Sequence, residues 1–169
     1  QHELFKKYDS FWIDEMMELK EYCDKIDIEF MSTPFDIESA DFLDELMDVY
    51  KISSSDLTNK PFIEYICKFN KPIILSTGAS SLHEIQESVS WIEKFGNPLA
   101  LLHCVLNYPT PDKNANLGMI LDLSAKFPNK IIGYSDHTLP NDMKFCEMAT
   151  MLGCVIIEKH FTHNKTLQG

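Results

Sequence analysis

The sequence predicts a parallel α/β fold of the barrel type: a (β/α)8 TIM-barrel fragment containing about six βα units. Three observations carry this reading. Helical stretches alternate with short apolar runs from one end of the 169 residues to the other, the pattern of a parallel sheet with helical crossovers. The runs are nearly continuous in apolar residues, as strands buried on both faces should be. Each run ends in small, polar or charged residues, and neither a Gly-x-Gly-x-x-Gly segment nor a P-loop follows any of them. That absence favours a barrel over a nucleotide-binding doubly wound sheet.

The elements follow in order. A first helix over residues 11–25 places Trp12, Met16, Leu19 and Cys23 on one face, and residues 28–33 form the first strand. A helix over 40–47 leads to a strand over 49–53, and one over 61–69 leads to a strand over 72–78. Ser81-x-x-Glu84 is a capping box that opens the next helix; its apolar face is Leu82, Ile85, Val89, Ile92 and Phe95, and Gly96 stops it. A strand over 99–103 comes next, and residues 107–111 begin the longest loop. A helix over 117–127 leads to a strand over 131–135. The last helix, 142–152, stops at Gly153 and leads to a strand over 155–160. A closed barrel needs eight strands and typically about 250 residues, so about two strands are missing or the sheet is open. Residues 1–169 read as one domain without a linker. A first residue of Gln marks the chain as a piece of something longer.

Composition narrows the partners. The chain is 44% hydrophobic and 24% charged, with a net charge of −11 and no arginine. Residues 1–60 carry 16 acidic side chains against 6 lysines, whereas residues 61–169 carry 10 against 9. Nucleic acid is a poor partner for such a surface. Anionic ligands belong to the second part, or to lysines, hydroxyls and backbone N–H groups. Apolar stretches are too short for a membrane span, and the N-terminus lacks the apolar core of a signal peptide. Five cysteines, at 23, 67, 104, 146 and 154, form no Cys-x-x-Cys and sit in apolar surroundings. Buried free thiols in a reducing, cytoplasmic compartment account for them.

The chemistry collects where the strands end. Thr33, Lys51, Ser53, Ser54, Ser76, Thr77, His103, Ser135, Asp136, His137, Glu158, Lys159 and His160 all lie there, and in parallel α/β folds the C-terminal strand ends build the active site. Loop-opening residues would account for the hydroxyls, but not for Lys51, Glu158 and His160, because charged groups rarely sit on buried strands without partners. Strand alternation puts Ser135 with His137 and Glu158 with His160. The two histidines are therefore either ligands of one divalent metal or a hydrogen-bonded pair. His103 is either a core or a functional residue, and His83 is solvated. Ser54, Ser76, Thr77, Gly78 and Ser135, with the helix N-terminus after Ser80 and Ser81, suit a small anion such as a phosphate ester.

Seven segments taken together resemble the sialic acid synthase family of N-acetylneuraminate, legionaminate and pseudaminate synthases and spore-coat polysaccharide proteins. They are Met31-Ser-Thr-Pro-Phe35, Tyr50-Lys-Ile-Ser-Ser54, Lys71-Pro-Ile-Ile-Leu-Ser-Thr-Gly78, Leu101-Leu-His-Cys104, Tyr108-Pro-Thr-Pro111, Gly133-Tyr-Ser-Asp-His-Thr138 and Ile157-Glu-Lys-His-Phe-Thr162. The resemblance spans nearly the whole chain. It implies a (β/α)8 barrel that condenses phosphoenolpyruvate with an N-acylated amino sugar, giving a nine-carbon 2-keto acid and phosphate with Mn2+ or Mg2+. By motif, His137 and His160 would hold the metal and Glu158 would orient or deprotonate water. Thr33, Lys51, Ser54, Ser76 and Ser135 would hold phosphoenolpyruvate, and Tyr108 would lie against the sugar.

The chain also departs from the family pattern. Leu106 stands where the family has Asn or Ser, Ser53 replaces a Gly, and Ser55-Asp56 replaces Gly-Glu. The family's first two strands have no counterpart in the sequence, nor do its final helix and its antifreeze-like C-terminal domain, so the chain reads as family strands three to eight. The resemblance further implies a homodimer for the full-length protein. Two other readings stand beside it. One is a catalytically incomplete barrel fragment that binds ligand or partner without turnover. The other is an aldolase-type lyase with Lys51 or Lys159 as a Schiff-base nucleophile.

Overall fold

The computed structural model describes residues 12–166. Two helices come first, α1 (Ile13–Lys25) and α2 (Ile37–Asp44). Strands and helices then alternate strictly: β1 (Tyr50–Ile52), α3 (Lys60–Cys67), β2 (Ile73–Ser76), α4 (Leu82–Glu93), β3 (Leu99–Cys104), α5 (Gly118–Lys126), β4 (Ile131–Asp136), α6 (Lys144–Met151) and β5 (Ile156–Lys159). The five strands form one parallel sheet in the order β1-β2-β3-β4-β5. Consecutive strands are neighbours throughout, the topology of a barrel wall rather than of a doubly wound sheet.

Residues 28–33 correct the expectation of a sixth strand. Their burial does not alternate as a strand's would: Phe30 is buried, but Ile28, two residues earlier, is exposed, as is Met31. No backbone ladder joins them to β1; the Ile28 N–H donates back to the Cys23 carbonyl at 2.9 Å, and the Ser32 N–H to Met47 Sδ at 3.3 Å. An apolar rhythm makes a strand only where a neighbour takes up its N–H and C=O groups. α2 also starts earlier than expected, because Asp36 caps it by accepting from the Ser39 N–H at 2.7 Å. The Ser81 capping box forms as read, with Ser81 Oγ accepting from the Glu84 N–H and Glu84 accepting from the Ser81 N–H.

The two faces of the sheet differ sharply. On the convex face Tyr50, Ile52, Ile73, Leu75, Leu99, Leu101, Ile132 and Tyr134 pack against Ile63, Ile66, Ile85, Val89, Ile92, Ile120 and Leu123 of the helices. This is the core. On the concave face, registered pairs carry one row from Ser76 through Leu102 and Gly133 to Ile156, and a second from Cys104 through Ser135 to Glu158. Gly133 makes room in the first row: a Cβ there would meet Leu102 Cδ2 at 2.5 Å and the Ile156 carbonyl oxygen at 2.6 Å.

Lys51 on β1 and Glu158 on β5 show how far the sheet curls. They lie on the two outermost strands, yet their charged groups approach to 3.3 Å. Four strand spacings of about 4.8 Å would part them by about 19 Å in a flat sheet, so the sheet is a curled half-barrel.

Both ends of the half-barrel show apolar side chains to solvent. α1 buries no residue, and Trp12 is 71% exposed; its expected apolar face meets the core only through Met16 and Cys23. β5 departs from the expectation of strands buried on both faces, since Ile157 is exposed. Among the described residues no helix is long and apolar enough to cross a membrane.

Gly133→Ala is expected to destabilise the fold by about 1–3 kcal/mol, the usual cost of forcing a group into a filled site. Urea denaturation should show a lower midpoint at unchanged slope.

Candidate active site

The strand ends open into one cavity of about 300 Å3 at the C-terminal mouth of the half-barrel. It gathers the residues singled out from sequence: Thr33, Lys51, Ser54, Ser76, Tyr108, Ser135, His137, Glu158 and His160 all line it. Phe35, Ser53, Cys104, Leu106 and Lys159 complete the wall. The sequence marks Leu106 only as a departure from the family pattern and gives Phe35 no place in the wall. Cys104 is legible in principle, because registered neighbours share a face and Cys104 lies beside Ser135.

Lys51 is 6% exposed, and a buried ammonium requires a partner. Glu158 supplies it at 3.3 Å and also accepts from Ser135 Oγ at 2.5 Å. One carboxylate thus joins β1, β4 and β5. Ser54 Oγ accepts from the Gly78 N–H at 2.9 Å, so its own O–H remains for a ligand. A Cβ at Gly78 would meet Ser54 Oγ and Leu106 Cγ at 2.9 Å, which makes glycine the residue that permits this approach. Ser76 Oγ is buried and has no partner. An unpaired buried hydroxyl costs about 1–3 kcal/mol, so Ser76 is a donor open to what enters the cavity.

His137 Nδ1 lies 2.8 Å from the Val105 carbonyl oxygen. A carbonyl only accepts, so Nδ1 carries the proton and Nε2 keeps its lone pair. The His137 and His160 rings are 5.1 Å apart between centroids. Tyr108 covers them, its ring 4.0 Å from His137 and edge-on to His160 at 5.5 Å. Among the described residues no three His, Cys, Asp or Glu side chains gather tightly enough to hold a metal by themselves; the chain offers two imidazoles.

Several expected contributors lie elsewhere. Thr77 Oγ1 donates to the Leu102 carbonyl at 3.0 Å. The α4 N-terminus does not serve an anion in the cavity: Glu84 occupies the Ser81 N–H and accepts from Ser81 Oγ at 2.8 Å. His103 belongs to the core side, its Nε2–H donating to the Ala115 carbonyl at 2.8 Å and its ring stacked 5.6 Å from Tyr134. His83 is exposed, as expected. His2 lies outside the described residues. All five cysteines are free thiols, four of them buried. Lys51 and Lys159, the two Schiff-base candidates, are both engaged by carboxylates, Lys159 by Asp136 at 2.7 Å. Burial alone would raise the Asp136 carboxyl, but Lys159, the Thr138 N–H and O–H, and Cys146 together hold it below the usual range.

Comparison with known proteins places the chain in a family. The profile of the NeuB family matches residues 1–169. The chain belongs to the NeuB family. It is 42% identical to the N,N'-diacetyllegionaminic acid synthase of Campylobacter jejuni, over 90% of this chain and 46% of that protein. It is 34% identical to the N-acetylneuraminate-9-phosphate synthase of Drosophila melanogaster, over 97% of this chain and 44% of that one. Among solved structures, the N-acetylneuraminic acid synthetase of Leptospira borgpetersenii, crystallised with citrate, superposes with a TM-score of 0.89 at 39% identity, covering 94% of this chain and 55% of that one. This NeuB-family chain spans about half the length of the curated relatives it matches.

The buried histidines make stability pH-dependent. Burial lowers His103 from its ordinary 6.5, opposed by its bond to Ala115. Burial also lowers His137, opposed by Val105 and assisted by His160. The unfolded chain therefore binds protons that the folded one refuses. This stability is present above about pH 6.5 and is lost as the pH falls through the lower folded values. Urea midpoints should drop between pH 7.5 and 5.5, and His103→Gln should flatten part of that drop.

Proposed function

We propose that the protein carrying this chain condenses phosphoenolpyruvate with an N-acylated amino sugar of the mannosamine type, releasing phosphate and a nine-carbon sialic-type 2-keto acid. One observation carries the reading. A NeuB-family chain brings Lys51, Ser76, Glu158 and the His137–His160 pair from separate strand ends onto one cavity.

Each residue has a role that its surroundings support. The Lys51 ammonium and the free O–H groups of Ser54 and Ser76 meet the anionic oxygens of phosphoenolpyruvate, with Thr33 at the rim. Ser135 now gives its O–H to Glu158 and turns it to the incoming anion. C3 of phosphoenolpyruvate attacks the open-chain aldehyde carbon of the sugar. Glu158, held by Lys51, orients the water that adds at C2 and takes its proton. The C2–O bond then breaks and phosphate leaves. The Tyr108 ring, 61% exposed beside the histidines, packs against the sugar.

The two imidazoles fit a divalent ion, which His137 and His160 would hold together with oxygen ligands from outside this pair. Nε2 of His137 is free to ligate, and its Nδ1–H is fixed by Val105, the usual support of a metal-bound histidine. Nitrogen donors favour Mn2+ over Mg2+. Bound there, the ion supplies Lewis acidity that polarises the aldehyde. The free thiols support a reducing compartment such as the cytoplasm.

The test is phosphate release from phosphoenolpyruvate by the full-length protein, assayed with N-acetylmannosamine, its 6-phosphate and diacetylated trideoxyhexoses. Turnover should require one such sugar and Mn2+. Glu158→Gln should lower kcat by about 10^2–10^4-fold, and Ser76→Ala should raise the KM for phosphoenolpyruvate about tenfold, the worth of one hydrogen bond to a charged group. Borohydride trapping of pyruvate on a lysine, without phosphate release, would overturn the reading.

A further inference from the structure

The ladder between β4 and β5 ends one residue short of the two histidines. Its last registered pairs are Ser135 with Glu158 and Asp136 with Lys159. His137 and His160 each follow that final pair directly, beyond the strand hydrogen bonds that join β4 to β5. His137 is tied to its own loop, its carbonyl accepting from the Thr110 N–H at 2.7 Å and its Nδ1–H donating to the Val105 carbonyl at 2.8 Å, but across to β5 the strand ends are joined at this point by a polar cluster at the edge of the cavity.

Its centre is Asp136, 1% exposed. One carboxylate oxygen accepts from Tyr134 OH at 3.0 Å and from the Thr138 N–H at 2.8 Å. The other accepts from Lys159 Nζ at 2.7 Å, Thr138 Oγ1 at 3.1 Å and Cys146 Sγ at 3.3 Å. Lys159 Nζ also donates to the Thr138 carbonyl at 2.5 Å. The network therefore grips the residue before His137 and the residue after it. From β5 it grips the residue between Glu158 and His160. Strand alternation puts the paired charges on one face and the Ser135–Glu158 pair on the other, so the network braces the cavity from its edge, where Lys159 forms part of the wall.

We propose that the Asp136–Lys159 ion pair is the positioning device of the site, setting the spacing and orientation of His137 and His160 where the strand ladder no longer does. This rests on the reading of the two histidines as a ligand pair. Lys159 is a positioning residue, not a nucleophile. An ion pair suits this role because its partners are directional and fully specified, whereas an apolar pair of the same volume would let the strand ends slide.

The experiment separates positioning from simple stability. Lys159→Met, Asp136→Asn and the double variant are prepared in the full chain, and folding is followed by circular dichroism. Two readouts are taken on folded protein: Mn2+ titration by calorimetry, and ring-nitrogen NMR of labelled histidine, which reports the His137 tautomer without any metal. In the wild type His137 should hold one tautomer, protonated on Nδ1. Lys159→Met should average the tautomers and weaken Mn2+ about tenfold. The double variant, which leaves no unpaired buried charge, should regain thermal stability but neither of these properties. If the folded single variants keep the wild-type tautomer and affinity, or if the double variant recovers both along with its stability, the positioning role is overturned. A wild type that binds no Mn2+ would overturn the ligand-pair reading instead, and the tautomer measurement would still decide the role of Lys159.

Discussion

The contact between Lys51 and Glu158 ties the architecture to the chemistry. It joins the first strand of the sheet to the last, a meeting that only a strongly curled sheet allows. Curling in turn requires a concave face with little bulk at mid-sheet, which Gly133 supplies beneath Leu102, and a convex face with large side chains, which the helices cover. Such a pair contributes little net stability, because desolvating a lysine offsets much of the attraction. Its consequence is spatial. A cation of this site is held on the floor, the carboxylate is held within reach of the same space, and Ser135 is brought to both.

Period two along each strand divides the labour. Residues at one parity build the core: Tyr50, Ile73, Leu101, Ile132 and Tyr134 meet the helices. Residues at the other parity line the hollow and become polar only near the C-terminal ends, as Ser76, Cys104, Ser135 and Glu158 do. The fold can therefore keep a dry, close-packed layer and a wet, reactive mouth within a few residues of each other. β4 shows the limit of this division. Asp136 belongs to the core-facing parity and is charged, and it is tolerated because Lys159, Tyr134 and Thr138 satisfy it.

What is legible in the sequence is local in origin. Apolar runs mark β1 through β5, the Ser81 box marks the start of α4, and polar strand ends mark the site residues that line the cavity. Features that depend on distant partners are not legible. Residues 28–33 have the rhythm of a strand but no ladder, and nothing within six residues records whether a neighbour pairs. The α4 N-terminus offers donors to an anion, but its own Glu84 takes them. Asp36 is a findable cap that the apolar pattern of α2 masks. The roles of Asp136 and Lys51 emerge only once β4, β5 and β1 are placed, because their partners lie 23 and 107 positions away in the chain.

A chain of net charge −11 without arginine would have to hold the proposed phosphate ester without a guanidinium of its own. Much of the acidic excess sits in the first 60 residues, where α1 displays Asp14, Glu15, Glu18, Glu21 and Asp24 to water, and charges exposed to solvent are screened within about 8 Å at physiological ionic strength. In the cavity the Lys51 ammonium is offset by Glu158, and the Lys159 ammonium by Asp136. Within this chain, affinity for the proposed anion would then rest on hydroxyl donors rather than on a dense basic patch. Such a weakly charged pocket would also hold phosphate less tightly than an arginine clamp, whose bidentate bonds are among the strongest a protein makes. The buried Ser76 hydroxyl, which has no partner among the described residues, is the kind of donor such a pocket would offer to the proposed ligand.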